Sequence, residues 1–132
     1  MRVVQPEGWP RPRGYSNGVV AQGRLVFVAG QIGWDASEKF ASDDLIEQAR
    51  QALKNTLAVL AAGGAKAEHV VRMTWYLTDK REYLRRAQEF GAVYRELMGR
   101  HYPAMAMVQV SALIEDRAQV EVETTAVIPN GS

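Results

Sequence analysis

Two carboxylates near the C-terminus, Glu121 and Glu123, alternate with Val120 and Val122 in a stretch with the period of a β-strand. That alternation sends both carboxylates to one face and both valines to the other. A carboxylate on a regular strand has a fixed direction, which suits a group that must hold and polarise a water or take a proton from it. Glu121 is the candidate for that work; the commoner role of such a residue is a solvated strand glutamate. Upstream, Met105 and Met107 share a face with Gln109 and Ser111, while Ala106 alternates with Val108 and Val110 on the other. Methionine is polarisable and flexible, and it fits a pocket wall or a packed core equally well. Other chemistries lack their residues. His69 and His101 have no third ligand at a metal-binding spacing, so no metal is expected. No glycine pattern fits a phosphate-cradling or dinucleotide-binding turn. There is no cysteine, which removes thiol nucleophiles and disulfides and fits a cytoplasmic protein.

The elements that must position these groups read as β-β-α-β-α-β-β, with a short leading strand at Arg2–Val4. Pro6, Gly8, Pro10, Pro12 and Gly14 enforce an irregular segment. Residues 17–22 and 24–29 read as two strands of a hairpin turning at Gly23. Residues 30–40 read as a loop. Leu45, Ile46, Ala49, Ala52, Leu53, Leu57 and Leu60 have helical spacing, so a helix is expected over about 43–62, capped by Ser42, Asp43 and Asp44 and stopped by Gly63-Gly64. A strand follows at 69–77. Asp79 and Glu82 suggest a capping box opening a second helix that ends at Gly99. The last two strands, 105–111 and 119–123, are joined through a charged turn at Glu115-Asp116-Arg117.

A chain of 132 residues with 47% hydrophobic content reads as one domain with a real core, residues 1–132. A net charge of +1 points to neither nucleic acid nor an anionic membrane as the main partner. The start, MRVVQPEGWPRPRGY, has no apolar run of the kind found in signal peptides, and no run approaches the roughly 20 residues that span a bilayer. The fold expected is α+β, a mixed sheet of five or six strands with two helices packed on one face. Residues 25–28 and 70–71 are apolar on both faces, so the uncovered sheet face needs a second subunit to bury it.

Pro103-Ala104-x-Ala106, then Leu113, then Val120-Glu121-Val122 resemble the C-terminal signature of the RidA (YjgF) family of enamine/imine deaminases. Gly14-Tyr15-Ser16 with Gly18, residues 26–32 (VFVAGQI) and residues 75–79 (WYLTD) resemble its N-terminal half and centre. The resemblance covers nearly the whole chain. It implies a chorismate-mutase-like subunit, a homotrimer, clefts between subunits, and no cofactor. It also implies that Glu121 helps a water attack the imine carbon as ammonia leaves, that Tyr15 lies at the cleft mouth, and that Gly30 and Gln31 form a strand-end turn beside it.

One departure stands out. The family's deaminases carry arginine where this chain has Met105, and an arginine fork holds a carboxylate in a way that methionine cannot. Ala29 stands where many members have serine, and Ala87 where many have asparagine. Met105, Ala106 and Met107 therefore line an apolar cleft, with Met73 and Trp34 as further candidates. Arg13, Arg72, Arg100 and His101 are candidates for a replacement cation. The function implied is hydrolytic deamination of a small enamine or imine other than the usual short 2-imino acids. The alternatives are a small-molecule-binding trimer that has lost the chemistry and, more weakly, an endoribonuclease.

Overall fold

The structure, a computed structural model, describes residues 1–131. The elements follow one another as β1 (Arg2–Val4), β2 (Gly18–Val20), β3 (Gly23–Ile32), α1 (Leu45–Ala62), β4 (Val70–Leu77), α2 (Lys80–Arg85), α3 (Ala87–Met98), β5 (Ala104–Gln109) and β6 (Val120–Pro129). The class is α+β with a mixed sheet, as expected, but the strands divide. β3, β6, β4 and β5 form one sheet in that order, and β1 pairs with β2 apart from it. β6 runs antiparallel to both β3 and β4, and β5 runs parallel to β4.

Three local expectations change. Gly23 is not a hairpin turn: β2 pairs with β1, and Gly23 begins β3 beside the end of β6. A Cβ at Gly23 would lie 1.9 Å from the carbonyl oxygen of Ile128, so only glycine lets the two backbones meet. The last two strands are not neighbours either. Residues 110–119 cross the end of β4, where Val110 N–H donates to Leu77 O at 2.8 Å and Thr78 N–H donates to Gln119 O at 3.2 Å. The second helix breaks at Arg86 (φ −116°, ψ 24°), whose N–H is shared between the carbonyls of Glu82 and Tyr83. The Arg86 guanidinium then binds Asp44, the N-cap of α1, and Glu89 at 2.8 Å.

α1 lies against β3 and β6, and α3 lies against α1. This side of the sheet buries Met73, Trp75 and Leu77 of β4 with Val120, Val122, Thr124, Ala126 and Ile128 of β6. Gln48 pins α1 to the connection before β6. Its Nε2 donates to Ser42 O at 3.1 Å and to Arg117 O at 2.9 Å, and its Oε1 accepts from Gln119 N–H at 2.8 Å. Gly33 makes that approach possible, because a Cβ there would lie 2.6 Å from the Cβ of Gln48. The opposite sheet face carries no helix. On it Phe27 is 73% exposed and Leu25 57% exposed, beside Thr74, Tyr76 and the two glutamates of β6.

Candidate functional site

The open face holds the carboxylates. Glu121 sits on β6 between Tyr76 of β4 and Ile32 of β3. The β3–β6 register slips between Val28 and Gln31, a bulge that contains Ala29 and Gly30. Residues 30–32 are therefore the end of a strand, not the start of a loop. The Glu121 carboxylate occupies the space above Gly30: a Cβ at that position would lie 2.2 Å from Oε2. Gln31 turns its amide back onto the bulge and donates to Ala29 O at 3.1 Å. Tyr76 separates the roles of the two glutamates. Its hydroxyl donates to Glu123 Oε1 at 2.6 Å, and that bond, with desolvation and the charges of Glu123 and Glu121, pushes the phenol pKa up. No donor among the described residues engages Glu121, which leaves its oxygens open to a water.

Tyr15 belongs to a second group. The irregular N-terminal segment is fastened to the start of β5 by Ser16, whose N–H donates to Pro103 O at 2.9 Å and whose hydroxyl donates to Tyr102 O at 2.5 Å. That fastening sets Tyr15 beside Met105. In the β4–β5 register Met105 lies opposite Met73 and Met107 opposite Trp75, so both methionines turn toward the helices. Together with Ala106 they wall a cleft of about 850 Å³ between the sheet edge and α3. Ala87 and Gly91 open its helix side. The two further apolar candidates fall elsewhere: Met73 is fully buried in the core, and Trp34 packs on Phe40 with ring centroids 6.0 Å apart.

The four candidate cations separate cleanly. Arg13 lines the cleft. His101 is held at the backbone, its Nε2 2.7 Å from Val70 O. Arg72 stands on the open sheet face, in a shallow groove with Phe27, Thr74 and Glu123. Arg100 is exposed and does not line the cleft. A cation that sequence reasoning missed, Arg95, does line it. The signal was present: Ala87, Gly91 and Arg95 recur every four residues and so share one helix face.

The site residues thus form two groups. Gly30, Gln31 and Glu121 gather on the open face, and Tyr15, Met105, Ala106 and Met107 gather at the cleft under α3. β4 lies between β6 and β5, which sets the groups about 10 Å apart across the sheet, and Met105 and Met107 face the side opposite to Glu121. Among the described residues no cluster of three or more His, Asp or Glu could hold a metal ion, and no helix is long and apolar enough to cross a membrane.

Comparison with known proteins shows the family and the fold. A family model described as Endoribonuclease L-PSP matches residues 10–128. Protein DfrA of Myxococcus xanthus is 39% identical over 133 residues, covering 96% of this chain and 95% of its own. The 2-iminobutanoate/2-iminopropanoate deaminase of Homo sapiens is 31% identical, covering 96% of this chain and 89% of its own. The crystal structure of a protein of unknown function of the conserved Rid family, from Yersinia pestis, superposes with a TM-score of 0.85. It is 30% identical, covering 96% of this chain and 98% of its own. The fold is accordingly the chorismate-mutase-like fold of these proteins.

Proposed function

We propose, from the premise that this chain belongs to the RidA/YjgF family, that it hydrolyses an enamine or imine other than the short 2-imino acids. The observation that carries this reading is the Glu121 carboxylate seated above Gly30, with no donor among the described residues bonded to it. An enamine first takes a proton on carbon and gives up one from nitrogen to become the imine. A water held by Glu121 then adds to the imine carbon. As the C–O bond forms, the carboxylate takes a proton from the water and passes it to the nitrogen. In the resulting carbinolamine the hydroxyl proton follows the same route, the C–N bond breaks, ammonia leaves and a carbonyl remains. Tyr15 offers a phenol at the cleft mouth, and Met105 and Met107 offer an apolar wall. The human relative is named for two short 2-imino acids. Met105 supplies nothing that clamps their carboxylate, which is why a different substrate is proposed here.

The working site is proposed to be an intersubunit cleft in a homotrimer. Two features support this. Phe27 and Leu25 leave an apolar patch on the helix-free sheet face. The two groups of site residues also lie on opposite faces of one sheet, so one subunit cannot close them on a single ligand, whereas one subunit's open face set against its neighbour's cleft can. The test is ammonia release from a panel of enamines generated in solution, with light scattering on the same sample. Turnover by a trimer that is lost in Glu121→Gln supports the reading. A trimer with no turnover favours the binding-module alternative, and a monomer at micromolar concentration overturns the cleft.

A further inference from the structure

We infer that Arg95 and Arg13 form a relocated anion clamp, so that the cleft takes a carboxylate whose body is aryl or otherwise bulky and apolar. The inference deepens the proposed function and rests on its cleft. Arg95 lies one turn along α3 from Gly91, and a Cβ at Gly91 would come within 3.3 Å of its Nη1. The guanidinium therefore folds back along the helix toward the N-terminus, as helical side chains do, and rests over the one residue with no side chain to exclude it. Glycine inside a helix is unfavourable on its own account; here it leaves room for a cation at the cleft wall. Arg13 reaches the same cleft from the N-terminal segment that Ser16 fastens to β5.

Within one subunit the charge of this cleft is one-sided. Two arginines line it and no aspartate or glutamate does. The acids of α3 are committed elsewhere, Glu89 to Arg86 and Glu96 to Arg50, and no ion pair among the described residues involves Arg13 or Arg95. The remaining wall is mainly apolar and aromatic, with Met105, Met107, Phe90 and the rings of Trp75 and Tyr83, and Gln88 adds an uncharged amide. Trp75 contributes the buried floor of this wall. It is fully buried, it lines the cleft, and its indole N–H has no acceptor. Moving the cations from the β5 position to α3 and the N-terminal segment turns the ligand's acid end away from the methionines. Its apolar body then lies where the family's deaminases place an arginine.

Calorimetric titration of the full-length protein tests this with 3-phenylpropionate, its neutral amide 3-phenylpropionamide, and propionate. The expected result is that 3-phenylpropionate binds about tenfold or more tighter than either comparator, the acid group and the ring each contributing. Added salt should weaken the acid and not the amide. In Arg13→Gln/Arg95→Gln the preference for acid over amide should vanish while the amide affinity stays at the parent value. Both substitutions are at exposed positions, so the fold is expected to hold, with circular dichroism as the check. Equal affinity for acid and amide in the parent, or an acid preference that survives the double substitution, would overturn the clamp. Glu121→Gln removes a negative charge and no cation, so it should not lower the preference, and failure of the catalytic reading and failure of the clamp give different results.

Discussion

The carboxylate of Glu121 fills the space that a side chain at Gly30 would need: a Cβ there would lie 2.2 Å from Oε2 and 2.8 Å from Cδ. All three of its nearest contacts belong to the Glu121 side chain, and none to backbone. A residue larger than glycine would therefore displace the carboxylate and leave the sheet in place. The β-bulge at Ala29 and Gly30 leaves the room that this carboxylate occupies.

Gly30→Ala is accordingly expected to fold and melt within a few degrees of the parent while losing turnover. A displacement of about 1 Å at a reacting group costs on the order of a hundredfold, so kcat/KM should fall by about that factor. Steady-state kinetics and a melting curve on the same preparation check it. A variant with the parent's kcat/KM would remove Gly30 from the aiming of Glu121.

Gln48 is the stability counterpart. It is 1% exposed, and its amide is the partner of three backbone groups on two separate segments. Gln48→Leu has similar volume but leaves the carbonyls of Ser42 and Arg117 and the N–H of Gln119 without it. Each buried unpaired group costs about 1–3 kcal/mol, so a loss of about 2 kcal/mol or more is expected. Urea denaturation measures it; a loss below about 0.5 kcal/mol would mean that water replaces the amide.

The ion pairs at the α2–α3 break give a pH signature. The Arg86 guanidinium, through its hydrogen bond, holds the Asp44 carboxyl below its ordinary 3.8, with the N–H of Glu47 assisting and desolvation opposing. Glu89 is lowered by the same arginine. A carboxyl whose pKa is depressed on folding stabilises the fold above its unfolded pKa and loses that contribution as pH falls through the folded value. Arg86→Met should therefore melt below the parent at neutral pH, and the gap should close below about pH 4. The effect is small, because these groups are partly screened by water. Melting curves across that range decide it: a gap of constant size would assign the role of Arg86 to helix geometry instead.

What was legible in the sequence follows from what local patterns encode. Alternation in β6 and at Met105 and Met107 fixed faces, and both glutamates and both methionines lie as that alternation requires. Alternation says nothing of partners, so β5 and β6 read as neighbours although β4 pairs between them. Gly23 read as a turn because a glycine between two apolar runs looks the same whether it reverses the chain or admits a neighbouring backbone. The break at Arg86 has no glycine or proline to announce it, and only its dihedral angles and its bonds to Asp44 and Glu89 reveal it. Arg95 was passed over because a helix read for its apolar face hides a cation that shares that face. The separation of Glu121 from Met105 depends on strand order, which no local pattern carries.

Met105→Arg installs the guanidinium that the resemblance to the family's deaminases implies at this position, and the structure sharpens what it should do. Met105 faces the cleft beside Met107 and opposite Met73, within the wall that Tyr15 borders. An arginine here adds a fork to a cleft that already holds Arg13 and Arg95 and has no acid to neutralise them. A charge-assisted contact is worth about 1.5–3 kcal/mol, so kcat/KM on 2-iminopropanoate and 2-iminobutanoate should rise about tenfold to a hundredfold over a poor parent. The binding of bulky apolar carboxylates should weaken, because the new side chain occupies the space of their body. Like-charge crowding should also cost some stability, and added salt should return part of it. Ammonia release from the two imines, measured beside titration with 3-phenylpropionate, checks both halves together. A folded variant with no gain on the imines would mean that Ala29 and Ala87 have removed partners the arginine needs. A parent already fast on them would mean that the relocated arginines hold short acids as well, and the substrate class proposed here would fall.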